Sequence, residues 1–74
     1  MPKLPRGLSG KEVRNALEKA GFQFRRQSGS HVILKKDTVR VTVPTHEDVK
    51  VGTLAGILSD AGLSGEEFLS FLHK

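Results

Sequence analysis

Between Arg25 and Lys36 the chain reads RRQSGSHVILKK, with one histidine, His31, set between two pairs of cationic side chains. An imidazole has an ordinary pKa of about 6.5 and can exchange a proton near neutrality. Guanidinium and ammonium groups hold phosphate oxygens through charge-assisted hydrogen bonds. A histidine beside a bound phosphodiester can therefore move a proton while the cations stabilise negative charge developing on phosphorus. RNA brings its own nucleophile, the 2′-OH, so little more than this is needed to cut it. DNA lacks that hydroxyl and is excluded as a substrate by the same route.

The remaining candidates for chemistry are weaker. His46 follows an apolar run in VPTHED and can cap a carbonyl, support His31 from a loop or do neither, whereas His73 lies one residue from the end. The three histidines have no ligand-like spacing, so a metal site is not expected. No cysteine is present, which removes disulfides and thiolate metal sites and fits a reducing compartment. The glycines sit at turns and helix ends rather than in a phosphate loop or dinucleotide fingerprint, and no cofactor is expected.

Charge is unevenly spread. Residues 1–40 carry ten Lys/Arg against three Asp/Glu, and residues 41–74 carry two against five. Such asymmetry points to a polyanion partner for the first half, with nucleic acid ahead of membrane. The stretch MPKLPRGLSG lacks the apolar segment of a signal peptide, and no apolar run approaches the roughly 20 residues of a membrane span. A cytoplasmic protein is expected. With 74 residues and no internal linker or repeat, residues 1–74 read as one small domain.

The elements that must position His31 follow from local pattern. SGKE at Ser9–Glu12 is a capping box, followed by Val13, Ala16, Leu17 and Ala20 on one helical face and by Gly21 as a stop. Three alternating runs come next: FQFRRQ, HVILKK and VRVTV, separated by Ser28-Gly29-Ser30 and Asp37-Thr38 and closed by Pro44. A second helix is predicted over Val51–Ala61 and a third after the capping box Ser64–Glu67, presenting Phe68, Phe71 and Leu72. The order α-β-β-β-α-α, with short connections, predicts an α+β fold. It is a three-stranded antiparallel sheet with the helices on one face.

Register decides which face His31 occupies, because strand side chains alternate. Val39, Val41 and Val43 mark the buried face of the third strand. A two-residue turn at Asp37-Thr38 then pairs Leu34 with Val41 and Val32 with Val43, placing both partners inside. Phe22 and Phe24 are also expected inside, and the same is expected of all four phenylalanines. With regular strands this requires a three-residue loop, Ser28-Gly29-Ser30, which sets Phe24 opposite Leu34 and Gln27 opposite His31. The outer face would hold Gln23, Arg25, Gln27, His31, Ile33, Lys35, Arg40 and Thr42, with three cations and no acid. His31 is then expected on an open, positive surface. Arg25, Lys35 and Arg40 would hold phosphate, with Gln27 and Ser30 as candidates to orient substrate or imidazole.

The successive segments LSGKEVRNALEKAGF, RRQSGSHVIL and VTVPTHEDVKVGTLAGILSDAGLSGEEF resemble the HicA family of small toxins from about Leu8 to Phe71. The specific pieces are Gly29-Ser30-His31 after a basic strand, Val43-Pro44-x-His46, and Gly52-Thr53-Leu54 opening the second helix. The resemblance implies a double-stranded-RNA-binding-domain-like fold and an mRNA-cleaving toxin that needs no known metal. It implies that the histidine of the glycine–serine–histidine triplet, His31 here, is catalytic. It also implies a cognate HicB antitoxin protein that covers this histidine and its basic surroundings.

Two other readings stand beside the nuclease. The same fold can bind duplex RNA without cutting it, in which case Lys11, Arg14 and Lys19 on the first helix carry more of the contact. Alternatively the sheet or the first helix docks an acidic protein, which an antitoxin complex would satisfy together with the nuclease reading.

Overall fold

The structure is a computed structural model that describes residues 4–73. The elements run α1 (Gly10–Lys19), β1 (Gln23–Ser28), β2 (His31–Lys36), β3 (Val39–Pro44), α2 (Val51–Ala61) and α3 (Gly65–Leu72), in the order expected. Both anticipated capping boxes form. The Ser9 hydroxyl oxygen accepts the Glu12 N–H at 3.1 Å while the Glu12 carboxylate accepts the Ser9 N–H. Ser64 and Glu67 repeat the arrangement at α3. Each such cap contributes about 1 kcal/mol to a helix that would be marginal alone. Gly62 ends α2 in the left-handed region, at φ 72°, where a side chain would be strained.

The strands form one antiparallel sheet in the order β1-β2-β3. Val32 pairs with Val43 and Leu34 with Val41, as the two-residue turn at Asp37-Thr38 requires. These three valines and one leucine are buried against Val13, Ala16 and Leu17 of α1, Leu54, Ile57 and Leu58 of α2 and Phe68 of α3 in one apolar cluster. The helices therefore cover one face, the arrangement of the double-stranded-RNA-binding-domain-like fold. No helix among the described residues is long and apolar enough to cross a membrane.

The first hairpin departs from the expected geometry. Its turn has two residues, Gly29 and Ser30, with Ser28 opposite His31. Gly29 has φ 59° and Ser30 does not have a positive φ, the sign pattern of a type II′ hairpin turn. Phe24 still faces Leu34, because a β-bulge between Phe24 and Arg26 takes up the extra residue. Arg25 is that residue. The inward placement of the phenylalanines holds only in part: Phe22 is 3% exposed and Phe68 fully buried, but Phe24 is 43% exposed. Phe24 lies on the edge strand, where the Arg14 guanidinium of α1 covers it, 4.6 Å from the ring centroid, in place of apolar side chains.

A further tie joins the segment before α1 to the loop after β3. Leu8 and Val49 form an isolated bridge, with the Val49 N–H donating to the Leu8 carbonyl at 2.7 Å. The Gly10 N–H donates to the His46 carbonyl, also at 2.7 Å. At this crossing a Cβ on Gly10 would run into the Pro44 carbonyl oxygen. Gly10→Ala is therefore expected to lower unfolding free energy by about 1–3 kcal/mol, the usual range for a forced backbone shift. Gly56→Ala, on α2 with open space around it, is expected to raise it by about 0.5–1 kcal/mol. Urea unfolding of the two variants beside the parent measures both effects.

Candidate nucleic-acid interface

The alternation of β2 that buries Val32 and Leu34 turns His31, Ile33 and Lys35 to the opposite side. On β3 the same rule brings Arg40 and Thr42 outward, Arg40 directly across from Lys35. The outer face thus carries His31 at one end and the Lys35–Arg40 pair toward the other. His31 is exposed, as the sequence reading requires.

The bulge changes what β1 adds. Arg26 pairs with Ile33 and so shares the outer face, while Gln27 pairs with Val32 and turns to the helix side. Gln27 is therefore not on the face expected for it, and Arg26 takes its place. Arg25 stays outward: with Arg26, Ile33, Lys35 and Arg40 it lines a shallow cleft of about 220 Å³. The bulge adds a cation where regular pairing would have placed a neutral amide. Beside it, Gln23, Arg25, Lys35 and Asp37 line a second depression, so the single nearby carboxylate closes the end remote from His31.

Among the described residues Arg25, Arg26, Lys35 and Arg40 have no acidic partner within ion-pair distance. Four like charges on a small face repel one another, and an anion laid across them relieves that repulsion. Their position across three strands suits a chain of phosphates better than a single compact anion. His31 lies two residues along β2 from Ile33, about 6.6 Å at the usual strand rise, and so borders the cleft rather than forming its floor.

The His31 backbone is held firmly. Ser28 and Pro44 flank it across the two ladders. The Ser30 carbonyl accepts the Thr45 N–H at 2.8 Å and the Thr45 hydroxyl at 3.1 Å, which clamps the turn to the strand exit. Ser30 thus contributes its backbone to the site's geometry, with its side chain in the exposed turn. His46 is exposed on the same loop, its carbonyl engaged by Gly10. A chemically reactive side chain on a pinned strand end is positioned more narrowly than one on a free loop.

The sequence reading thus had His31, Arg25, Lys35 and Arg40 on one face, misplaced Gln27 and missed Arg26. The signal for the correction was present. Gly29-Ser30 fits a two-residue II′ turn, and with Phe24 opposite Leu34 such a turn demands one extra residue in β1.

Residues 10–63 match the model of the family described as HicA toxin of bacterial toxin–antitoxin systems. No curated protein matches the chain. The matched span runs from the first residue of α1 through the whole sheet and α2, and it includes His31 and all four cations of the outer face. Family membership also implies an antitoxin as partner. The chain belongs to the HicA toxin family.

Proposed function

We propose that the protein is a metal-independent endoribonuclease, an mRNA-cleaving toxin acting in the cytoplasm, with His31 as its catalytic residue. The observation that carries this reading is an exposed imidazole at the border of an outer face with four unpaired cations. Arg25, Arg26, Lys35 and Arg40 hold successive phosphates and fix the strand's path. The substrate's 2′-OH attacks the adjacent phosphorus, the bond to the 5′ oxygen breaks, and a 2′,3′-cyclic phosphate and a 5′-hydroxyl result. His31 takes the proton from the 2′-OH or gives one to the departing 5′ oxygen, and water exchanges the other. One positioned acid or base is worth roughly 10²–10⁴ in rate. A single histidine therefore supports a slow nuclease.

The non-cleaving duplex binder fits less well. It would rest on phosphate contacts from cations of α1, yet the charge of the Arg14 guanidinium is already met by the Glu18 carboxylate 3.3 Å away. In the nuclease reading the HicB-like antitoxin silences the toxin by covering His31 and the basic cleft, and residues 1–74 act as one domain.

Purified protein is expected to cut mRNA in the presence of EDTA, and His31→Ala to slow cleavage at least about 10²-fold with unfolding unchanged. A single 2′-deoxy residue at the scissile position is expected to protect that bond completely. Equal cleavage by the variant removes His31 from the mechanism.

The bulged register gives a separate expectation for binding. With a 2′-O-methyl oligonucleotide that cannot be cut, Arg26→Ala should reduce the slope of log affinity against log salt by about 0.7, the contribution of one phosphate contact to a single strand. Gln27→Ala should leave that slope unchanged.

A further inference from the structure

The end of the sheet that carries His31 has a second feature, on the other face. Between α1 and the sheet is a cavity of about 380 Å³, within the range of small-molecule sites, roughly 300–1,000 Å³. Its walls include Lys11, Arg14, Asn15 and Glu18 from α1, Gln27 from β1, Val43 from β3 and Thr45 from the clamp. Neither the basic outer cleft nor the helix-covered core accounts for it.

Three properties of the walls point to one class of ligand. Asn15 and Gln27 are neutral amides, each able to donate and accept, which suits the edge of a nucleobase. Gln27 donates one N–H to the Gly29 carbonyl at 3.1 Å, so its amide is already oriented. Arg14 offers a planar guanidinium already backed by Phe24, a surface on which a base can stack. Its Nε is buried without a hydrogen-bond partner although the Glu18 carboxylate is only 3.3 Å away. Lys11, exposed on the first turn of α1, adds a cation beside the opening. An apolar floor, two neutral amides, and both a cation and the Glu18 carboxylate in the wall describe the donor and acceptor edge of a nucleobase better than a simple anion.

The position links this cavity to His31. Gln27 pairs with Val32, the residue after His31, and Thr45 is bonded to the carbonyl of Ser30, the residue before it. Cavity and imidazole lie back to back, one residue apart, at the same end of the sheet. A strand crossing the outer face can turn its next base around this end and into the cavity.

We infer that the cavity between α1 and the β1–β3 end of the sheet is a nucleobase-binding subsite that selects the nucleotide beside the scissile bond. The inference rests on RNA being the substrate, but its test does not require cleavage. ¹⁵N-labelled His31→Ala protein is titrated separately with the four ribonucleoside 5′-monophosphates and with inorganic phosphate. Amide shifts are expected at Lys11, Asn15, Gln27 and Thr45, with at least a threefold difference in affinity between bases. Asn15→Ala, an exposed position, is expected to reduce that difference to less than twofold while the spectrum stays that of the folded protein.

Shifts of the same size and place from inorganic phosphate overturn the inference, since the site then binds an anion without regard to the base. Shifts confined to the Arg25–Arg40 face overturn it too, as does the absence of any shift, which leaves the cavity to a protein side chain. The proposal for His31 stands or falls on the cleavage assay alone, so the two failures are distinguishable.

Discussion

Burial of Val32, Leu34, Val41 and Val43 beneath the three helices is the interaction on which the arrangement of the site depends. Each fully buried aliphatic side chain of this size contributes about 1.5–3 kcal/mol, a large share of what so small a chain can accumulate. A one-residue slip of β2 would expose Val32 and Leu34 together and bury His31, Ile33 and Lys35 in their place. Burial of an unpaired lysine opposes such a slip as firmly as the lost apolar contact. The apolar set on one side therefore determines the chemical set on the other, and His31 faces solvent because its neighbours cannot.

The β1 edge obeys a looser constraint. Its six residues are all exposed, so no deep packing fixes which of them face outward, and the hairpin turn has more influence. Gly29 permits a tight II′ turn, which places Ser28 rather than Gln27 across from His31. Phe24 nevertheless keeps its place against Leu34, and the conflict between these two local preferences is absorbed by Arg25 as a bulge. Bulges concentrate at sheet edges and near functional sites because they re-aim side chains at modest cost. Here the result is two consecutive arginines on one face, where regular alternation would have divided them between two.

This explains how far the site was legible in the sequence. The helices were plain from SGKE and SGEE, since a capping box is a local signal that tertiary context seldom overrides. The β2–β3 register followed from two strongly alternating runs and a short turn. A regular period for β1 with Phe22 and Phe24 both buried demands a three-residue loop. Phe24 is in fact covered by Arg14 from α1, a contact between an arginine and a ring ten positions apart that no periodicity announces. The Leu8–Val49 bridge and the Gly10–His46 hydrogen bond were equally silent, because they join backbone groups and need only a close approach.

A plainer role for the arginines of β1 must be weighed against binding. An exposed edge strand invites pairing with another chain, and a bulge with charged side chains blocks it. Arg25 and Arg26 serve that purpose whether or not RNA is ever bound. Edge protection also covers Arg40 on β3, the other edge strand, but it does not reach Lys35. Lys35 is on β2, the central strand, whose backbone groups are paired on both sides, and Arg40 stands across from it on β3. Lys35 therefore has no edge to protect. Lys35 is partly buried among like charges, and Asp37, the nearby carboxylate, is not within ion-pair distance of it. A solvent-facing lysine in the middle of a sheet, beside three arginines and an open cleft, is a destabilising choice for a protein that only needs to stay soluble. The repulsion is relieved when an external polyanion lies across all three strands, and such a path passes His31 at the end of the sheet.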